Sequence, residues 1–224
     1  MKIAIFCHLY QVNNWRNILD EQIQKICSSG LYGACDFIHL GINGNDPLPY
    51  TLPKISSIRN LYTVSEADTL KALWEYSSQN PDSKVLYLNS LGVTHYGTSW
   101  EYSKNSWRIY LEYFAIQRWK ECIEKLEEYD TVGTEFIKES NYWDSKKNWR
   151  EEFNWHYSGI FWWANSSYIQ KLDPNYLYTD HDNNLRMRPE FWVGTLKPKY
   201  FSFYNTNAPC RYAHVYNPLE YITI

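Results

Sequence analysis

At 224 residues the chain has the length of one domain and is long enough to bury a full core. It is 44% hydrophobic and 21% charged, and its net charge of −3 leaves no basic excess to neutralise a phosphate backbone, which argues against nucleic acid as a partner. The unusual feature is an aromatic content of 18%, with 21 Tyr and 11 Trp; such side chains suit large cores and also walls that touch sugars or bases.

In chain order, KIAIFCHLY (2–10) predicts a buried strand. NWRNILDEQIQKICSSG (14–30) carries apolar residues at 15, 18, 19, 23 and 26, a helical spacing, with Asn13 or Asn14 before it and Gly30 at its end. CDFIHLGING (35–44) predicts a second strand running into a glycine turn, and IRNLYTV (58–64) a third. SEADTLKALWEYSSQNPD (65–82) predicts a helix with a Ser cap and an acidic first turn that stops before Pro81. KVLYLNSLG (84–92) is the fourth strand. This alternation predicts an α/β fold with a mainly parallel central sheet flanked by helices. Ligands of such sheets sit at the carboxyl ends of the strands, which nominates His8 to Asn13, Gly41 to Asp46, and Asn89 to His95.

A long helix is predicted over 100–128, where Trp107, Tyr110, Leu111, Phe114, Cys122, Ile123 and Leu126 form an apolar stripe. TVGTEF (131–136) reads as a short strand, and SSYIQKL (166–172) as a short helix stopped at Asp173-Pro174. RMRPEFWVG (186–194) follows a loop, and the aromatic tail, 198–224, is β-rich and contains His214. Asp180, His181 and Asp182 in TDHDNN have the spacing of a metal cluster but read as a solvated loop. The five cysteines are scattered, with neither metal spacing nor a disulfide framework, and read as reduced thiols. The first apolar run is too short for a secretion signal, and no stretch approaches the roughly 18–20 apolar residues of a spanning helix, so a cytoplasmic protein without a transmembrane segment is expected.

The segment NWHYSGIFWWANSSYI (154–169) sets Gly159 beside Phe161, Trp162 and Trp163. Either these aromatics are core, or the glycine lets a ligand approach the backbone with a ring as its wall. Adjacent strand residues face opposite ways, so Trp162 and Trp163 do not both line one site.

The order of parts, with VLYLNSLGVT, YDTVG, HYSGIFWWAN and RPEFWVG in sequence, resembles a GT-A-type glycosyltransferase. The local wording over residues 84–194 resembles a subgroup of proteins assigned as glycosyltransferases in bacteria and large viruses; elsewhere the likeness is one of layout. The resemblance implies a Rossmann-type, GT-A-like fold over 1–224 as a single domain, with a nucleotide-binding half (1–95) and an acceptor-side half (96–224). It implies transfer of a sugar from a nucleotide-sugar donor to a glycan acceptor. Glu190 in PEFW would be the acceptor-activating base. His8, Tyr10, Asn13, Asn89, His95, Gly159, Arg186, Arg188 and His214 would bind the donor. His156, Tyr157, Ser158, Trp162, Trp163 and Trp192 would bind the acceptor. The resembling enzymes hold Mn²⁺ or Mg²⁺ on Asp-x-Asp at the end of the fourth strand. Asn89-Ser90-Leu91-Gly92 stands there instead, and Asn is a poor sole ligand for such a cation. His214 is then the weak metal candidate, and Arg186 and Arg188 are cations that suit a diphosphate. The alternative is a non-catalytic carbohydrate-binding protein with a degenerate donor site. A glycoside hydrolase needs two facing carboxylates, and the sequence offers no convincing partner for Glu190.

Overall fold

The computed structural model describes residues 1–49, 51–59, 65–138, 155–179, 188–206 and 211–222. The elements in order are β1 (Ile3–Tyr10), α1 (Trp15–Ser28), α2 (Leu31–Ala34), β2 (Phe37–Asn43), β3 (Ile55–Arg59), α3 (Ala67–Gln79), β4 (Lys84–Asn89), α4 (Glu101–Glu112), α5 (Trp119–Lys125), β5 (Thr131–Gly133), β6 (Phe136–Ile137), β7 (His156–Tyr157), β8 (Trp162–Asn165), α6 (Ser166–Ile169), α7 (Arg188–Trp192), β9 (Tyr200–Ser202) and α8 (Pro218–Tyr221). The main sheet has the order β3-β2-β1-β4-β8-β5-β9, and β6 pairs with β7 separately. β1 runs parallel to β2 and β4, β2 to β3, and β5 to β9; β8 is antiparallel to both β4 and β5. The fold is therefore α/β with a mixed, mostly parallel sheet flanked by helices, as the alternation predicted.

Helices cover both faces of the sheet, so its central strands are apolar on both sides. Ile5, Cys7 and Leu9 of β1, Leu86 and Leu88 of β4, and Trp163 of β8 share one core with α1 and α4. Ala4, Phe6, Val85, Tyr87, Trp162 and Ala164 share the other with α3, α6 and α7. Period-two alternation thus sends the two adjacent tryptophans to opposite cores.

Local chemistry moved several expected boundaries. The third strand lies at Ile55–Arg59, earlier than the expected 58–64, and residues 60–64 lie outside the described set. The helix expected over 100–128 is broken by a wide π turn at Tyr113–Gln117, after which Arg118 leaves the helical region. Such a turn loosens the backbone ladder. Here the Ala115 carbonyl accepts the Trp163 indole N–H at 2.8 Å and the Phe114 carbonyl accepts the Cys122 thiol. The expected strand 131–136 is split in two at Glu135, which has a φ of +56°. Among its described residues the tail is less β-rich than expected, with strand only at Tyr200–Ser202. Its rings instead cover α4: Tyr216 stacks on Tyr110 with centroids 4.4 Å apart, and Tyr221 meets the same ring edge-on.

The tail is pinned by one buried carboxylate. Glu135 accepts from the Tyr110 hydroxyl at 3.0 Å, from Thr206 N–H at 2.7 Å and from the Arg211 guanidinium. A buried anion is tolerable only with such a full set of donors. The core role of Trp163 is testable. Trp163→Phe removes the bond to Ala115 and leaves a void, so it should cost about 1–3 kcal/mol in chemical denaturation. An unchanged midpoint would contradict the role.

Candidate functional site

The parallel strands β1, β2 and β4 end together at Tyr10, Asn43 and Asn89. The turns beyond them are tied to one another. Tyr10 N–H donates to Ser90 Oγ at 3.0 Å, Asn13 Nδ2 donates to the Val93 carbonyl at 2.8 Å, and Gln11 N–H donates to the Asn43 carbonyl at 2.8 Å. This edge is where α/β sheets form ligand crevices.

Glu190 reaches the same region from α7. Its side chain is 21% exposed and lies 3.8 Å from His156 Nε2. The Gly159 backbone N–H donates to its carboxylate. Gly159 has a φ of +91°, and a Cβ there would stand 2.5 Å from Leu111 Cδ1 and 3.2 Å from Trp107 Cζ2. The glycine is therefore required by tight packing on α4, and that packing aims its N–H at Glu190. Beside Glu190 lies a second carboxylate, Glu66, at the start of α3. The Tyr87 hydroxyl donates to Glu66 at 2.6 Å and Asn89 Nδ2 at 3.1 Å. Asn89 Nδ2 also lies 3.5 Å from the Gly159 carbonyl, so one carboxamide spans the gap between the two acids. Burial and then the charge of Glu66 push the Glu190 carboxyl up to about 7; the Gly159 N–H and the Lys104 ammonium pull the other way without cancelling them.

The end of β4 is held from behind as well. Gln22 of α1 donates to the Asn89 carbonyl at 2.9 Å and to Glu112 at 3.0 Å. Glu112 also takes Lys25 at 2.6 Å and Arg108 at 2.9 Å, and Arg108 reaches Glu21 at 2.8 Å. This ionic cluster locks α1 to α4 and fixes the strand end that carries Asn89.

The structure redistributes the remaining expected residues. Trp162, Trp163, Trp192 and Tyr157 are fully buried and present no face to an acceptor, which corrects the wall assigned to them: their rings fill the two cores. Ser158 is buried too, with its N–H on the Glu135 carbonyl. His8 is buried, and its Nδ1 pairs with Thr69 Oγ1 at 2.9 Å, so it faces α3 rather than a donor. Burial lowers its pKa to about 4. Arg188 is buried with its guanidinium over the Tyr176 ring at 4.7 Å. His95 bonds the Tyr212 hydroxyl at 2.6 Å. His214 meets the Tyr216 ring edge-on at 4.6 Å, an aromatic rather than acidic neighbour. Tyr10 remains 37% exposed at the end of β1. Arg186, Asp180, His181 and Asp182 lie outside the described residues.

Glu66 and Lys104 are the site residues that sequence reasoning missed. Glu66 read as part of an acidic first turn, and Lys104 carried no signal of its own within the expected long helix. As for a metal, the Glu66 carboxylate is already engaged by Tyr87 and Asn89, and among the described residues no group of three or more His, Cys, Asp or Glu is placed to hold an ion. The described donor set does not fit a divalent cation.

A model for a family described as a domain of unknown function, DUF8361, matches residues 6–210. The chain belongs to this family. No curated protein matches it. Among solved structures it is similar to the bifunctional IspDF from Campylobacter jejuni, at 10% identity and a TM-score of 0.47, covering 96% of this chain and 52% of that one. It is thus about half the length of that bifunctional chain. It is also similar to 4-diphosphocytidyl-2C-methyl-D-erythritol synthase, at 10% identity and a TM-score of 0.47, covering 99% and 95%. A third similar structure is 2-C-methyl-D-erythritol 4-phosphate cytidylyltransferase from Francisella tularensis, at 13% identity and a TM-score of 0.48, covering 100% and 99%. Among the described residues of the DUF8361 chain, no helix is long and apolar enough to cross a membrane.

Three outcomes follow from this geometry. Gly159→Ala forces a side chain into Leu111 at positive φ and should cost about 2–4 kcal/mol, read from the unfolding midpoint. A folded Glu190 with its pKa raised from 4.5 to about 7 favours the protonated state, so its contribution is full below pH 4.5 and is lost as pH rises through 7. Glu190→Gln should therefore be more stable than the parent above pH 8, by up to about 3 kcal/mol, with no such gain below pH 4.5. A gain of equal size at both pH values would show that the carboxyl is not perturbed. Glu66→Gln should lower the Glu190 midpoint in a carboxyl NMR titration.

Proposed function

We propose that this protein is a glycosyltransferase that moves a sugar from a nucleotide-sugar donor to a hydroxyl of a glycan acceptor, with Glu190 as the base. One observation carries the reading: Glu190, which accepts from the Gly159 N–H, lies beside Glu66 and Asn89 at the C-terminal end of a parallel strand, and burial pushes its carboxyl up to about 7. A base works best when its pKa is near the working pH and the hydroxyl is within hydrogen-bond reach.

In this mechanism the acceptor hydroxyl donates to Glu190, whose Oε takes the proton as the acceptor oxygen bonds to the anomeric carbon. The bond from that carbon to the nucleotide diphosphate breaks, and its electron pair leaves with the diphosphate. This is a single displacement and inverts the anomeric centre. Glu66 keeps Glu190 basic enough to accept a proton, while the Gly159 N–H fixes the direction of its lone pairs. Asn89, held from two sides, sets the spacing of the two acids. Tyr10, exposed at the end of β1, offers a ring to the nucleotide base.

The test is a thermal-shift screen against UDP, GDP, CDP and dTDP species, with and without Mn²⁺, followed by turnover with the nucleotide sugar that binds. A ligand that binds the folded state raises the midpoint by mass action. The expected result is a shift with one nucleotide, a kcat/KM that rises with pH through about 7, and a loss of about 10²–10⁴-fold in Glu190→Gln with nucleotide binding retained. Shifts with free glycans and with no nucleotide would overturn the transferase in favour of a carbohydrate-binding protein.

A further inference from the structure

With Trp162, Trp163 and Trp192 in the core, the acceptor needs another surface. Among the described residues, three exposed aromatics, Tyr96, Trp100 and Tyr102, follow β4, and a fourth, Tyr212 of the tail, packs against Trp100. Trp100 and Tyr212 are each 41% exposed, and their rings meet at 68° with centroids 5.3 Å apart. Tyr96 and Tyr102, on either side of Trp100 in sequence, are exposed as well. Exposed aromatic side chains are usually mobile, but Tyr212 is held by His95 and Lys104. Its hydroxyl bonds His95 Nε2 at 2.6 Å, its ring packs edge-on against His95, and the Lys104 ammonium lies 2.7 Å from its centroid. Lys104 itself is buried, with Trp107 on its other side at 4.6 Å.

We infer that Trp100 and Tyr212, set by His95 and Lys104, form a platform on which a neutral hexose ring of the acceptor glycan stacks. The inference rests on the transferase reading and names the acceptor surface of that same site. Three observations favour a sugar. The rings are pre-ordered, which removes the entropy cost of immobilising them on binding. Their tips are polar while their faces are apolar, which matches a sugar with its C–H face and hydroxyl rim. The charged groups beside the patch are engaged: the Glu101 carboxylate accepts the Gly97 N–H at 2.8 Å, and the Lys104 ammonium lies under a ring. Lys104, which touches Tyr212, also lies 4.6 Å over the Trp107 ring, and that ring packs against Gly159, whose N–H holds Glu190.

The experiment is an NMR titration of the ¹⁵N-labelled protein with β-1,4-linked glucose, β-1,4-linked N-acetylglucosamine and α-1,4-linked glucose tetrasaccharides, following the Trp100 indole signal. The expected result is a saturable shift of that signal by at least one tetrasaccharide. Trp100→Ala and Tyr212→Leu should each weaken that binding at least 10-fold, while the nucleotide-induced thermal shift stays unchanged. Silence of the Trp100 signal with all three probes, or affinity unaltered in Trp100→Ala, would overturn the platform. Concentration-dependent self-association that Trp100→Ala abolishes, without saccharide binding, would overturn it in favour of a contact between copies. Saccharide binding at Trp100 with no nucleotide binding would uphold the platform and sink the transferase. Nucleotide-dependent turnover with a silent Trp100 would do the reverse.

Discussion

Asn89 is the joint on which the strand-end architecture depends. Its carbonyl accepts from Gln22, which belongs to the helical layer on one face of the sheet. Its carboxamide donates to Glu66, at the start of the helix on the other face, and lies within reach of the Gly159 carbonyl. One residue at the end of a central strand thus joins α1, α3 and the Gly159 turn. The ionic cluster of Glu21, Lys25, Arg108 and Glu112 backs it. Buried ion pairs of this kind add little net stability against their desolvation cost. Their use here is to fix α1 against α4, so that the strand end behind the two acids cannot drift.

The same geometry gives the two carboxylates different tasks. Glu66 accepts from two side-chain donors, Tyr87 and Asn89. Glu190 has one backbone N–H, a histidine at 3.8 Å and partial burial. Two acids in neighbouring sites with unequal hydrogen-bond support are driven apart in proton affinity, and the less supported one bears the proton. Ionising Glu190 in this buried place costs stability at high pH, a cost that surrounding packing must offset. Gly159 contributes to that packing by allowing Leu111 and Trp107 to approach its backbone.

The aromatic content has a divided use. Most of the large rings are structural: Trp162 lies over Tyr87 in one core, Trp163 bonds Ala115 in the other, and the tail tyrosines cover α4. Their number reflects a sheet covered on both faces together with a tail that buries α4 with rings instead of strands. Glu135 makes that arrangement possible by gathering the tail's polar backbone and Arg211 at one buried point. Among the described residues, Trp100 and Tyr212 belong to the exposed remainder.

Glu190 was singled out only through the family resemblance, whereas the sequence by itself determined the strand and helix order of the first ninety residues and the strand-end edge at His8–Asn13 and Asn89–His95. These were legible because period-two and period-3.6 patterns and cap residues are local, and a parallel sheet follows from their alternation. Only the tertiary structure decided that Trp162 and Trp163 are core on opposite faces, since alternation says that they diverge but not that both sides are covered. It also decided that Glu66 is the partner of Glu190, although 124 positions separate them in sequence. Likewise, only in three dimensions does Lys104 come to lie beneath Tyr212. Proximity between distant charged residues leaves no local pattern, because a surface glutamate and a buried one are the same letter until the sheet and helices have closed around them.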